Sequence, residues 1–167
     1  VGLFDTAFES YLEDVDFGLR CATQGLGGVY VPDAVATHQG SASLGPWSPA
    51  MVRLVARNQV LLIAKHYPRS LLRRYWWPIL VGQGLWGLLA LRHGAAWPYL
   101  NGKLAGIRGA ANPGCSRLSS RPPEQLAKIL EHSEREIAAT QRRVGFDWYW
   151  NVYFLLTKRR IDTEKAK

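Results

Sequence analysis

Three carboxylates, Glu13, Asp14 and Asp16, fall within four positions in the stretch "SYLEDVDFGLR". Acids this close repel one another unless something offsets the charge. Two arrangements would do so. At the first turn of a helix, the positive end of the macrodipole favours acids, and the group would be an ordinary solvated helix end. In the other, the acids form a site that handles a proton or a cation, where a positioned carboxylate takes a proton from a reacting hydroxyl. His38 ends a short β-type run beside a Gly/Ser loop, and loops of this kind often carry site residues.

The elements that would position these groups can be read from apolar spacing. In "FESYLEDVDFGLRCATQGLG", Leu12, Val15, Leu19 and Ala22 recur every three or four residues, with acids at the start, Arg20 towards the end and Gly25 as the cap; this predicts a helix. Val29 to Val31 and Ala34 to His38, separated by Pro32-Asp33, predict two short strands. Ser48 and Pro49 open a helix with Met51, Leu54, Val55, Asn58 and Leu62 on one face, and Pro68 stops it. From Tyr75 to Leu91 the chain runs 17 residues without a charge, between Arg73-Arg74 and Arg92. A simple transmembrane helix needs about 20 apolar residues. This run is shorter and is interrupted by Pro78, Gly82, Gln83, Gly84 and Gly87. Trp76, Trp77 and Trp86 suit a membrane–water boundary, so the segment is expected to lie in one leaflet; a buried core helix is the alternative. A basic amphipathic segment and a loop follow. Pro122-Pro123-Glu124 then opens a helix with Leu126, Leu130, Ile137 and Val144 on one face and Gly145 at its close. An aromatic-basic tail, "FDWYWNVYFLLTKRR", ends the pattern.

The 167 residues carry a net charge of +8, unevenly spread. Residues 1–50 sum to −5 and the remainder to +13, and residues 51–123 hold 11 cations and no acid. A basic, tryptophan-rich body suits an anionic membrane surface. Nucleic acid is the weakest partner reading and is not expected, because the cations alternate with long aliphatic runs instead of lining a polar face. Cys21 and Cys115 form no framework and fit free thiols in a reducing compartment. The opening "VGLFD" reads as a strand or turn already under way, so a preceding segment is expected.

Phe4-Asp5, then Glu13-Asp14-Val15-Asp16, Leu19-Arg20, Gly25, Val31-Pro32-Asp33-Ala34, His38 and later Arg57-Asn58 form an ordered series. It resembles the second half of the catalytic domain of family 2 glycosyltransferases, with the rhamnosyltransferase-like branch nearest. The motifs cover about the first 65 residues. The resemblance implies an α/β chain: the C-terminal part of a GT-A, Rossmann-like fold over residues 1–47, a basic interfacial helical region over 48–121, and a helix with an aromatic-basic tail over 122–167. It further implies inverting transfer of a sugar, of deoxyhexose type, from a nucleotide-sugar donor to a hydroxyl of a glycan or lipid-linked acceptor in envelope polysaccharide synthesis, at the cytoplasmic face of the membrane. Asp14 would be the general base, Glu13 would orient acceptor or base, and Asp16 would cap local backbone. His38 would help hold a divalent metal, Mg²⁺ or Mn²⁺. The family's Asp-x-Asp metal motif has no counterpart here, and without the nucleotide-binding half the chain alone is expected to be inactive. A non-catalytic peripheral membrane or protein-interaction module is the alternative.

Overall fold

The computed structural model describes residues 1–37, 44–111 and 122–157. They form a short 3-10 turn, Thr6–Phe8, and six helices: α1 (Glu13–Ala22), α2 (Pro49–His66), α3 (Arg69–Arg92), α4 (Ala96–Ala110), α5 (Pro123–Val144) and α6 (Trp148–Thr157). No strand occurs among the described residues, which overturns the α/β, GT-A expectation. The β-branched run at 29–31 is followed by a turn closed from Ala34 N to Val31 O at 3.1 Å. Its side chains nevertheless stand in solvent: Val29, Tyr30 and Val35 are all at least 86% exposed. A strand needs a neighbour to take its backbone hydrogen bonds and cover one face, and these residues have none among the described ones. His38 lies outside the described residues, as does Cys115.

The helices start and stop where local chemistry directs them. After α1 the chain turns through Gly25 at φ +74°, with Leu26 N bonded back to Cys21 O, a left-handed exit that glycine makes without strain. Ser48 Oγ accepts from Met51 N at 3.2 Å to cap α2. Tyr67 and Pro68 separate α2 from α3, because the residue before a proline avoids helical geometry. Gly145, at φ +91°, closes α5.

Contrary to expectation, the apolar run at 75–91 is not an interrupted segment. It lies inside α3, a continuous helix of 24 residues that passes through Pro78, although the proline ring removes the hydrogen bond to the Arg74 carbonyl. Burial compensates: Leu71, Tyr75, Val81, Leu85 and Ala90 all face inward, and such packing supplies most of a helix's stability. Trp86, expected at a membrane boundary, packs instead against Trp47 and Tyr99. Leu71 and Tyr75 meet Leu126 and Ala127 of α5 in one core. Val52, Ala90 and Ala95 centre a second.

The closest helix pairing joins α2 and α4. A Cβ added at Gly102 would lie 2.3 Å from the Arg53 carbonyl oxygen, and one at Gly106 would lie 2.6 Å from that of Arg57. Only glycine lets two backbones approach this far, the small-xxx-small principle. Among the described residues, no helix is long and apolar enough to cross a membrane.

Candidate functional site

The approach to α1 is strained. Glu9, Tyr11 and Leu12 have φ of 58°, 69° and 66°, a left-handed conformation that non-glycine residues seldom adopt. Strain of this kind persists only where the surroundings fix it. Here Asn58, fully buried in α2, supplies the constraint. Its Nδ2 donates to the carbonyls of Phe8, Ser10 and Tyr11 at 2.7–2.8 Å, and its Oδ1 accepts from Arg57 at 3.1 Å. Arg57 in turn pairs with Glu9 at 3.2 Å, and Phe8 is buried beneath the loop. The Arg57-Asn58 pair, part of the ordered series and with Asn58 expected on the apolar face of its helix, thus positions the residues that lead into Glu13 and Asp14.

The three carboxylates have separate fates. Asp16 is fully buried. Its Oδ1 meets Lys65 and His66, and its Oδ2 meets Arg20, each at 2.8 Å. Burial alone would push its carboxyl up. Hydrogen bonds from His66, Lys65 and Arg20 more than reverse this and hold it well below the usual carboxylate range. Lys65 also reaches Asp5 at 2.6 Å, while Arg20 donates to the carbonyls of Val1 and Leu3. Asp16 therefore ties α1 and the N-terminal segment to α2, and does not cap local backbone as the sequence suggested. Glu13 is half-buried, and its Oε2 is shielded without a hydrogen-bond partner. Asp14 is exposed at the first turn, with Oδ1 accepting from Val15 N at 2.8 Å. Of the three, it is the carboxylate that a solute can reach.

Leu12, next to Glu13, also forms part of the wall of a cavity of about 380 Å³ between α2, α3, α5 and α6. Ile63, Ile79 and Ile137 supply aliphatic lining, and Tyr149, Trp150 and Tyr153 supply aromatic lining. Gln59 and Gln83 are polar exceptions, and both carboxamide oxygens accept from Lys103 Nζ. Lys103 escaped the sequence reading. Glycines four apart in "GKLAG" mark a helix face in close contact, but Lys103 lies about 100° round the helix from Gly102, so the sequence does not show which neighbours it meets.

Among the described residues, no group of three His, Cys, Asp or Glu side chains could hold a metal ion. His38, the residue expected to help hold a divalent cation, lies outside the described residues. No family model, curated protein or solved structure matches the chain.

Proposed function

We propose that this chain forms the acceptor side of a nucleotide-sugar-dependent glycosyltransferase seated on the cytoplasmic face of a membrane. The observation that carries it is Asp14, an exposed carboxylate fixed at a helix start by a strained, Asn58-clamped loop. Ordinary helix ends require no such clamp. In the reaction, the Asp14 carboxylate takes the proton of an acceptor hydroxyl. The hydroxyl oxygen forms the new bond to the anomeric carbon, and the bond to the nucleotide's terminal phosphate breaks with its electron pair leaving on that phosphate. A general base of this kind contributes on the order of 10²–10⁴ in rate. Glu13, half-buried beside Asp14, would orient the acceptor or the base. The identity of the sugar as a deoxyhexose rests on the sequence resemblance.

The decisive test is sugar transfer to a lipid-linked acceptor by the protein as made in the cell. Asp14→Asn preserves volume and removes basicity, so turnover should fall by roughly 10²-fold or more while donor affinity holds. Near-native turnover in the variant would dismiss Asp14 as the base.

A second reading, a non-catalytic peripheral membrane module, is favoured by one feature of α4. Trp97, Leu100, Leu104 and Ile107 are each about half exposed or more and recur at helical spacing along one face. Absence of transfer together with intact membrane binding would select it.

A further inference from the structure

We propose that the cavity between α2, α3, α5 and α6 binds a long-chain carboxylate: its chain lies among the aliphatic and aromatic walls, and its head group meets the carboxamides of Gln59 and Gln83, backed by the charge of Lys103. This does not depend on glycosyl transfer.

A lysine ammonium can only donate hydrogen bonds. The carboxamides of Gln59 and Gln83 must therefore turn their oxygens to Nζ, at 2.6 Å for Gln59, and their NH₂ groups away from it. Both glutamines line the cavity, so two N–H donors, each polarised by the cation behind it, are available to an oxygen ligand there. Lys103 has no carboxylate within ion-pair distance among the described residues; besides the glutamines it faces the Tyr99 ring, with Nζ 5.0 Å from the centroid. A shielded ammonium without a counter-charge is costly, and a bound carboxylate would supply that charge. Burial already pulls the Lys103 ammonium down to about 8, which leaves it mostly protonated at neutral pH and available to attract an anion.

The rest of the cavity calls for an apolar body. Leu62, Ile63, Ile79 and Ile137 offer a chain no hydrogen bonds. Glu134, the carboxylate among the lining residues, accepts from the Tyr153 hydroxyl at 3.5 Å. The volume, about 380 Å³, falls within the roughly 300–1,000 Å³ of small-ligand pockets. A fully polar solute would leave the walls unsatisfied, and a neutral chain would leave Lys103 as it is. An amphiphile with one anionic end satisfies both.

The test is calorimetric titration of the purified chain with dodecanoate and with dodecanol, each below its micelle-forming concentration. Dodecanoate should bind at least about tenfold more tightly than the alcohol. Lys103→Met, which removes a buried charge and should fold, should bring the two affinities together. Ile79→Trp, which fills the cavity, should weaken both, and the double change Gln59→Leu with Gln83→Leu should remove the carboxylate preference by another route. Equal affinities in the unmodified protein, or no binding, would overturn the proposal. A carboxylate preference that survives Lys103→Met would place the head group on surface cations, and binding unaffected by Ile79→Trp would place the chain outside the cavity; either would also overturn it.

Discussion

At the residue scale, one acidic cluster is divided into different tasks by partners about fifty positions away. The sequence shows three acids at a helix start. It cannot show that Lys65 and His66 claim Asp16 while Asp14 stays open, because that depends on how α1 lies on α2. Asp16 has an acid-side consequence. Its folded pKa lies below the unfolded value near 3.8, so its contribution to stability is full above about pH 4 and is lost as pH falls towards the folded pKa. Asp16→Asn should therefore lower the urea midpoint at pH 7, by about 3–5 kcal/mol in free energy, and flatten the acid limb below pH 4. An unchanged limb would move that role to another carboxylate. Lys103 gives a slope of the same sign at alkaline pH, but there a buried charge costs stability and deprotonation relieves the cost. Its folded pKa, about 8, lies below the ordinary 10.5, so between these values the unfolded chain binds more protons and stability rises with pH. The groups facing it are Gln59 of α2 and Gln83 of α3, both neutral, and Tyr99 of α4. Burial first, and then Tyr149 of α6, push Tyr99 up to about 12, and burial raises Tyr149 as well; raised tyrosines lower stability as pH climbs past their ordinary value of 10.0, so the Lys103 rise is to be read below that value. Lys103→Met should abolish the alkaline rise in denaturation midpoint.

At the scale of elements, helices were legible where caps and spacing agreed. Ser48-Pro49, Pro68, Pro122-Pro123 and Gly145 fall at the ends of α2 and α5 or beside them. The strands were misjudged because β-branched residues record only a preference, and no neighbouring strand is present among the described residues to realise it. The α2–α4 contact gives a sharp prediction. Gly102→Ala would place a methyl 2.3 Å from the Arg53 carbonyl oxygen, and the helices would have to separate. The loss should be about 3 kcal/mol or more by urea denaturation. Gly84→Ala in α3 is the control, since nothing lies within 4 Å of its added Cβ; it should be neutral or stabilising by up to about 1 kcal/mol. Equal effects of the two would mean that the close approach is not limiting.

At the scale of the whole molecule, charge and apolar exposure coincide. The outward stripe of α4 accompanies exposed Trp76, Trp77, Leu80, Leu88 and Leu91 on α3, in the region that lacks any acid. The sequence reading singled out the tryptophans of α3 for this role. It misplaced Trp86, which packs inward, because a uniform apolar run does not reveal which side faces out; the basic amphipathic segment read after that run holds the outward face led by Trp97. The protein should co-sediment with anionic liposomes, and high salt should release only part of it, since salt screens the lysines and arginines but leaves apolar burial intact. Trp97→Ala with Leu104→Ala should make the remaining binding salt-reversible. Complete release of the unmodified protein by salt would reduce the contact to electrostatics alone.

Where Gly102 and Gly106 meet the backbone of α2, no flexible side chain lies between the helices to absorb movement. The two helices are therefore expected to move together. One carries the face of Trp97 and Leu104, and the other carries Asn58, which grips the loop ahead of Asp14. A change that shifts the outer face of α4 should therefore also be felt at the Asn58-held loop ahead of Asp14.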